Sequence, residues 1–238
     1  MMSLKNVKVI ADCRLSYKCV NFLKSNGANV HFVPEIPCLE APVSAHADMS
    51  MINIGKKWFI ADDIHNIFTF FGDNRAVKRN KVKAGELLLY PENAQFNAAV
   101  VGKSLLCCTK SVDKIIVEYA KNNGYNIICV KQGFTKCSVC VVSDNAIITE
   151  DCGIAKACKQ NGIDVLLLQT HSVRLNGYDY GFIGGCSGNF NRQVYFSGCI
   201  ESHPEYLDIR DFCKVHGVKP ISMSDEPLYD VGSILFYF

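Results

Sequence analysis

A glycine that ends a helical pattern and leads into a β-prone run recurs four times along the chain, and this repetition limits the possible folds most. The four glycines are Gly27, Gly124, Gly162 and Gly217. A glycine directly after a helix takes up the left-handed conformation, in which the last helical carbonyls are satisfied without a Cβ clash. The stretches that precede the glycines carry apolar residues at helical spacing. Each occurrence therefore predicts a helix followed by a strand.

A pair of short apolar runs precedes these helical patterns. In 48–61, 97–108 and 137–149 the two runs are separated by the turn sequences GKK, GK and SDN, and a weaker pair occupies 189–197. Such runs around a short polar turn are typical of β-hairpins. The repeated unit is therefore predicted to be strand, strand, helix, strand.

The two ends of the chain complete this pattern. The chain starts with a β-prone run at 5–11, followed directly by a helix and a strand, and it ends with a β-prone run at 233–238. Joining these runs gives a fifth unit and closes a ring, which removes open sheet edges. We therefore predict an α/β fold of about five ββαβ units around a pseudo-fivefold axis, in a single domain spanning residues 1–238. The alternative is an open α/β sheet, which predicts about one strand per helix rather than three.

Composition narrows the class of protein. Hydrophobic residues make up 49% of the 238 residues, and 25 Lys and Arg stand against 23 Asp and Glu. This balance supports neither a nucleic-acid nor an anionic-membrane partner. The thirteen cysteines are odd in number and scattered through apolar stretches, which does not suggest a disulfide framework. With no signal-like run at the start and no run of about 20 apolar residues, we expect a cytoplasmic protein.

The segment 73–86 departs from the repeat. It reads DNRAVKRNKVKAGE and is strongly basic. A run of charges is usually solvated, so we expect an exposed surface loop. The alternative is an additional functional element.

Polar residues cluster where the first strand of each unit begins, and in a ring these positions converge on the axis. Several units would thus contribute to one mouth, as in a small-molecule pocket. The residues are His46, Asp48, Glu92, Asn93, Asn97, Lys136, Cys137, Ser138, Cys186, Ser187, Asn189, Asp225, Tyr229 and Asp230.

Some of these residues have simpler explanations. Asp225 and Ser187 fit a role in satisfying turn backbone. His46 and Asp48 are two residues apart on a predicted strand, so they can face one side as a histidine–carboxylate pair. Alternatively, Asp48 caps a loop.

The cysteines give two further candidates. Cys137 and Cys140 form a CxxC, but on a strand this spacing directs them to opposite faces, and no second CxxC accompanies them. We therefore expect no metal and no cofactor. Cys186 lies within a glycine-rich run, 177–188, which suggests a winding loop close to a ligand. A reactive thiol needs a nearby base or positive dipole, and an inert structural thiol is the alternative for Cys186.

Five stretches together resemble a known family. They are HADMSMINIG, NAAVVGK, KCSVCVVSDNAIITEDCGIAKA, YGFIGGCSGN and SDEPLYDVGSILF. This pattern resembles an uncharacterised bacterial family of the guanidino-group-modifying enzyme fold, also called the pentein fold or five-bladed β/α propeller. The resemblance covers nearly the whole chain.

The resemblance implies a site but also shows departures from it. The wider superfamily uses a cysteine nucleophile, a histidine and carboxylates that hold a planar guanidinium. Its first-unit carboxylate matches Asp48. Asn97 stands where an acidic run is usual, the stretch 135–138 has no histidine, and the stretch 230–233 has no cysteine. The resemblance therefore implies either a mechanism rebuilt from Cys137, Cys186, Lys136 and His46, or a binding module.

Three hypotheses for function follow. The first is an enzyme that acts on a C–N bond of a guanidine, amidine or amide. The second is a non-catalytic binding protein for a small cationic metabolite such as a guanidine or amine, with Asp48 as the anchor and Asn93, Asn97 and Ser138 among the lining residues. The third is a protein-interaction module, like a ribosomal anti-association factor of similar five-fold architecture. The near-neutral charge argues against a ribosomal partner.

Overall fold

Fifteen strands and four α-helices occupy the part of the chain that the computed structural model describes, residues 4–80, 83 and 85–238. The helices are α1 (Tyr17–Ser25), α2 (Lys114–Asn122), α3 (Cys152–Gln160) and α4 (Tyr206–Val215). The strands are β1 (Lys8–Asp12), β2 (Asn29–Val33), β3 (Met51–Ile54), β4 (Lys57–Ala61), β5 (Asp73–Val77), β6 (Ala99–Val101), β7 (Ser104–Cys107), β8 (Asn126–Cys129), β9 (Cys140–Ser143), β10 (Ala146–Thr149), β11 (Asp164–Leu167), β12 (Ser187–Phe190), β13 (Gln193–Phe196), β14 (Lys219–Ser222) and β15 (Leu235–Tyr237).

The strands form five separate three-stranded sheets. Their orders are β3-β4-β5, β6-β7-β8, β9-β10-β11, β12-β13-β14 and β15-β1-β2. In each sheet the middle strand runs antiparallel to one neighbour and parallel to the other. Each antiparallel pair except the last is a hairpin, and each parallel pair needs a crossover, which a helix supplies in four of the five units. This arrangement is the strand–strand–helix–strand repeat that the sequence predicts.

The two ends of the chain pair with each other, as expected. β15 lies antiparallel to β1, with Val9 opposite Phe236 and Ile10 opposite Leu235. β2 then adds parallel on the other side of β1. The fifth sheet therefore contains strands from both ends of the chain.

The predicted helix ends are confirmed by the backbone. Gly27, Gly124, Gly162 and Gly217 have φ values of +94°, +75°, +73° and +67°. At the other end of three helices a side chain accepts a hydrogen bond from a first-turn amide, namely Ser16 at α1, Asp113 at α2 and Asp151 at α3. Such caps satisfy amides that have no partner within the helix.

The first unit differs from expectation. Where the repeat predicts a helix after the 48–61 hairpin, the chain forms only a one-turn 3-10 helix, His65–Phe68, and the segment 73–86 opens with β5 instead of a loop. Within that segment Arg79 is buried, because its guanidinium bonds the Asp63 carboxylate and the Met49 carbonyl. These acceptors pair with the guanidinium N–H donors, so Arg79 can be buried without leaving its donors unpaired. Positions 81, 82 and 84 of this predicted loop lie outside the described residues.

The five sheets pack through their first strands and through buried aromatic residues. β6 contacts β9, β9 contacts β12, and β12 contacts β15. Phe59, Phe68, Phe71, Phe96 and Phe196 are the largest fully buried side chains. The segments just before the first strands are therefore brought together in the interior. No described helix is long and apolar enough to cross a membrane.

Candidate functional site

Two segments that precede first strands meet at the centre of the molecule. His46 and Asp48 lie before β3, and both are buried. Asp48 is in a 3-10 helix, Ala47–Met49, so the prediction that His46 and Asp48 sit on a strand is wrong. The tight turn arises because the Met49 amide bonds the His46 carbonyl, while the Asp48 amide bonds the Gly232 carbonyl at 3.1 Å.

Cys137 lies in the turn before β9, which begins only at Cys140. The strand geometry expected for this CxxC therefore does not apply. The Asn97 side chain fixes the turn, because its Oδ1 accepts hydrogen bonds from the Lys136 amide at 2.7 Å and the Cys137 amide at 3.3 Å. Its Nδ2 lies 3.2 Å from the Cys137 Sγ.

A hydrogen-bonded network joins three units around the Asp48 carboxylate. Its Oδ2 accepts from the Cys137 thiol at 3.1 Å and from the Ser233 hydroxyl at 2.6 Å. The Lys136 ammonium donates to the Ser233 Oγ at 2.9 Å. The other carboxylate oxygen, Oδ1, is buried and has no hydrogen-bond partner among the described residues. The network thus leaves one acceptor for a further donor or cation.

His46 lies between two carboxylates. Its Nε2 is 3.9 Å from the Asp12 Oδ2, and its Nδ1 is 3.9 Å from the Asp230 Oδ1. Neither ring nitrogen has a hydrogen-bond partner within the described part of the chain. Arg14 holds Asp12 through both carboxylate oxygens, and the amides of Phe182 and Gly232 hold Asp230.

Two glycines allow this close packing. A Cβ on Gly232 would lie 2.1 Å from the His46 Cβ, and one on Gly185 would lie 2.0 Å from the Asp230 Oδ1. Gly232 also has φ +61°. The glycine-rich run was expected to approach a ligand; at Gly185 its backbone approaches the Asp230 carboxylate.

A cavity of about 250 Å³ opens onto this cluster. His46, Cys137 and Asp230 line it, together with aromatic residues from two loops: Phe134, Tyr178, Tyr180 and Phe182. A separate cavity of about 140 Å³ is lined by Asp48, Lys136 and Ser187. The largest groove, of about 760 Å³, contains neither the Cys137 thiol nor the His46 imidazole. We therefore assign the site to the aromatic-walled cavity, since the reactive groups lie there.

The surroundings shift the acidity of several groups. Burial raises the pKa of the Cys137 thiol well above its usual range, and the nearby Asp48 and Asp230 carboxylates raise it further. Burial also raises the pKa of Asp230, while His46 opposes that shift. Burial raises the pKa of Glu150, beyond the end of β10, to about 7. In all three groups burial is the largest cause, because it disfavours the ionised form.

Several predicted site residues lie outside the cluster. Cys186 is buried in the apolar core, where its thiol donates to the Ile183 carbonyl, and burial raises its pKa. Asp225 is exposed and pairs with Lys18 at 2.6 Å. Tyr229 lines the largest groove, and its hydroxyl accepts from the Asn176 amide. The structure does not bring these residues together with Cys137.

Three others have local roles. The Ser138 hydroxyl donates to the Phe134 carbonyl at 2.9 Å, and the Ser187 hydroxyl donates to the Gly184 carbonyl at 3.2 Å. Asn93 is buried, and its side-chain amide has no partner among the described residues. Of these, only Ser187 lines a cavity next to the cluster.

Sequence reasoning missed two members of the cluster. Ser233 lies in the stretch 230–233, which the sequence marks only by its lack of a cysteine, and Asp12 directly follows the β-prone run 5–11 and is not among the predicted site residues. Both come to the centre through the pairing of β15 with β1. Their polar character at the start or end of these terminal strands was the available signal.

The arrangement brings together groups whose chemistry suits a small cation. It combines a thiol, an imidazole and three buried carboxylates, those of Asp12, Asp48 and Asp230. Among the described residues, Asp12 alone of these three has an arginine or lysine as ion-pair partner, Arg14 at 2.6 Å. Buried charge of one sign favours a ligand of the other sign.

Comparison with solved structures identifies the fold. A dimethylarginine dimethylaminohydrolase, in a histidine-to-glycine variant bound as an adduct with S-methyl-L-thiocitrulline, is 11% identical with a TM-score of 0.57, over 94% of this chain and 93% of that chain. The enzyme from Pseudomonas aeruginosa, a cysteine-to-serine variant complexed with citrulline, is 11% identical with a TM-score of 0.54, over 93% and 92% of the chains.

An amidinotransferase from Microseira wollei in the saxitoxin biosynthetic pathway is 12% identical with a TM-score of 0.52, over 96% of this chain and 94% of that chain. At such identities the likeness shows the fold, which is the pentein fold that the resemblance implied. No curated protein sequence matches the chain. A family model described as a family of unknown function (DUF6873) matches residues 10–235, and the chain therefore belongs to that family.

Proposed function

We propose that the aromatic-walled cavity binds a small organic cation with a planar guanidinium or amidinium group, and that Cys137 attacks its central carbon. The observation that carries this proposal is the group of buried polar atoms without partners beside a thiol. These are both ring nitrogens of His46 and the Oδ1 of Asp48. Leaving such atoms unpaired costs about 1–3 kcal/mol each. A neutral imidazole has one acceptor nitrogen, so a ligand N–H in the cavity would pair with that nitrogen of His46, which lines the cavity.

Charge and shape agree with such a ligand. A planar cation in this cavity would contact the aromatic rings that line it, those of Phe134 and Tyr180 among them, and could donate hydrogen bonds to the Asp230 carboxylate, which also lines it. Its positive charge would favour the ionised forms of Asp230 and Cys137, whose pKa values burial raises. The thiol would therefore ionise in the complex more readily than in the free protein.

The proposed reaction is a hydrolysis. The proton of the Cys137 thiol would pass to Asp48, which already accepts its hydrogen bond, and from that carboxylate to the leaving nitrogen. The thiolate forms a C–S bond as the C–N bond breaks. Water then adds to the same carbon, the C–S bond breaks, one proton of water returns to the thiolate, and the second protonates the released ammonia or amine. The net change is addition of water and release of ammonia or an amine.

The ligands of the structural neighbours support this substrate class. Solved dimethylarginine dimethylaminohydrolases hold citrulline and an adduct with S-methyl-L-thiocitrulline. We carry the planar, nitrogen-rich group of these ligands over to this chain as a proposal. The departures from the superfamily pattern, Asn97 and Ser233, then shape the pocket around a differently placed nucleophile.

We also infer that the five sheets form a closed ring in one domain of residues 1–238. Support comes from contacts between successive units. The Phe59 ring of β4 lies 5.1 Å from the Tyr119 ring of α2, and the first strands β6, β9, β12 and β15 touch in turn. The Tyr237 ring of β15 lies 5.9 Å from the Trp58 ring of β4, which completes the circuit.

Product release tests the catalytic proposal. Guanidines, amidines and small amides are incubated with the protein, and ammonia or amine release is measured. We expect turnover that Cys137→Ser lowers at least 100-fold, while Cys186→Ala, a matched buried-thiol control, keeps it. Equal loss in both variants, or turnover that survives in Cys137→Ser, contradicts the assignment of the nucleophile.

A non-catalytic binding protein is the second candidate, and the raised pKa of Cys137 favours it, because a protonated thiol is a poor nucleophile. Binding of guanidines, polyamines and amino acids is measured by thermal shift. Stabilisation without product release, lost in Asp48→Asn, supports this candidate. Stabilisation that Asp48→Asn leaves unchanged argues against Asp48 as the anchor.

A further inference from the structure

We propose that His46, Asp48 and Cys137 form a binding site for a divalent transition-metal ion such as Zn²⁺. One nitrogen, one oxygen and one sulfur from these residues all lie within 4.8 Å of one another, and the three side chains are buried. Within residues 4–80, 83 and 85–238, no other group of three histidine, cysteine or acidic side chains has this spacing. A mixed set of imidazole, carboxylate and thiolate suits Zn²⁺ better than Mg²⁺ or Ca²⁺, which take oxygen ligands.

The unpaired buried atoms point to a missing partner. Both ring nitrogens of His46 and the Oδ1 of Asp48 have no hydrogen-bond partner within the described residues. A metal ion bound by one imidazole nitrogen and by the carboxylate would satisfy two of these three atoms at once. The packing of Gly232 against His46 holds the imidazole in its place between the other residues.

The surroundings of His46 fit a second shell for a metal ligand. A histidine that binds a metal commonly directs its other ring nitrogen toward a carboxylate, which fixes the tautomer. Here either choice of metal-binding nitrogen leaves the other one facing a carboxylate at 3.9 Å, that of Asp12 or that of Asp230. A carboxylate is therefore near the remaining nitrogen whichever one binds the metal.

Charge also favours an added cation. The carboxylates of Asp12, Asp48 and Asp230 are all buried, and Arg14 pairs only with Asp12. Lys136 contacts the Ser233 hydroxyl, which in turn contacts Asp48. When the ion binds, the Cys137 S–H bond breaks, a sulfur–metal bond forms, and one proton leaves to solvent for each ion.

Three protein ligands leave one tetrahedral position for water or a small ligand. His46 and Cys137 line the 250 Å³ cavity, so this position has access to it. The inference does not rest on the proposed function. The two exclude each other at any moment, because a thiolate that holds the metal is not free to attack carbon.

Cobalt(II) is the probe for this site, since a cobalt–thiolate bond gives a charge-transfer band in the near ultraviolet. Metal-stripped full-length protein is titrated with Co²⁺, and Zn²⁺ is then added to displace it. We expect one Co²⁺ and one released proton per chain, with at least tenfold weaker binding in Cys137→Ser, Asp48→Asn and His46→Gln. Asp48→Asn keeps the thiol, and circular dichroism shows which variants are folded.

Two controls separate this site from adventitious thiol binding. Cys158→Ala removes a buried thiol on α3, and a triple variant replaces the exposed Cys13, Cys129 and Cys152 by Ser. Both should keep the band. Absence of the band in the native protein, its survival in Cys137→Ser, or its loss in the triple variant overturns the proposal. None of these outcomes bears on turnover or ligand binding by the metal-free protein.

Discussion

Asp48 is the residue to which the central segments of the molecule are hydrogen-bonded. Its Oδ2 accepts hydrogen bonds from the Ser233 hydroxyl and the Cys137 thiol. The backbone amide of Asp48 donates a hydrogen bond to the Gly232 carbonyl. Segments far apart in sequence are thus tied to one side chain. In buried surroundings each of these hydrogen bonds is strengthened, so the loss of one partner is costly.

Ser233→Ala tests that network. Loss of the hydroxyl removes a donor to Asp48 and the acceptor of Lys136, so we expect a loss of about 1–3 kcal/mol in the free energy of unfolding. Urea denaturation measures it. Ser143→Ala, whose hydroxyl bonds only Asn145 across a turn, serves as the control and should change stability by less than about 0.5 kcal/mol. Similar losses in both variants would show that the network adds nothing.

Glu150 predicts a pH dependence. Burial raises its pKa from 4.5 to about 7. The folded state then holds a proton that the unfolded state has lost, so this contribution to stability is present below about pH 4.5 and falls as pH rises through 7. The raised pKa of Asp230 acts in the same direction.

We therefore expect Glu150→Gln to flatten the stability curve between pH 5 and 8, and to gain on the order of 1–3 kcal/mol over the native chain at pH 8. Denaturation at a series of pH values measures this. Glu118→Gln, at an exposed position on α2, is the control. An unchanged slope in Glu150→Gln would contradict the assignment.

Part of the site could be predicted from single residues. His46, Asp48, Lys136, Cys137 and Asp230 were chosen because polar residues precede the first strands, and all five line or join the cluster. Cys186 and Asp225 met the same criterion, but their side chains point into the core and into solvent. The sequence predicts which residues precede a strand. The direction of their side chains depends on how neighbouring units pack, which the sequence pattern does not give.

At the scale of elements, turns and helix ends were predictable because their chemistry is local. The helix-ending glycines and the hairpin turns appear where expected. The β5 strand was missed because its DNRAV sequence reads as a charged loop, and its pairing with β4 supplies what its own residues lack. Elements held by tertiary pairing are the ones a local pattern cannot predict.

Alanine substitutions at two glycines separate the cost of a left-handed backbone conformation from the cost of a steric clash. Gly124→Ala adds a Cβ in open space at φ +75°, so we expect a loss of about 1–2 kcal/mol from backbone strain alone. Gly232→Ala adds the same strain and drives a Cβ into His46, so it should lose more stability and also lose ligand binding in the thermal-shift screen. If Gly232→Ala behaves like Gly124→Ala, the close packing of His46 is not required.

At the scale of the whole molecule, the pairing of the chain ends carries the architecture. The Phe236 ring stacks 5.4 Å from Phe190, and the Tyr237 ring lies 4.9 Å from Phe71. β15 thus joins the fifth sheet to the fourth and the first. The prediction that the two ends form one unit came from counting repeats, which needs no knowledge of side-chain contacts.

Deleting residues 235–238 tests that architecture. The deletion removes the antiparallel partner of β1 and the two aromatic contacts, so we expect a loss of roughly 4 kcal/mol or more in unfolding free energy. Hydrogen exchange should show lost protection at Lys8–Asp12. Phe238→Ala, at an exposed position, should leave both quantities unchanged. Retained protection in β1 after the deletion would contradict the role of β15.

The central claim is that Cys137 lies in a cavity that selects planar organic cations. The most direct measurement compares alkylation by a haloacetamidine with alkylation by the neutral haloacetamide, followed by peptide mapping of all thirteen cysteines. We expect saturable labelling of Cys137 by the amidine, much faster than by the amide and slowed by guanidinium. Exposed Cys13, Cys129 and Cys152 should show no preference for the charged reagent. Labelling of Cys137 no faster than that of these three thiols, or with no preference for the amidine, would contradict it.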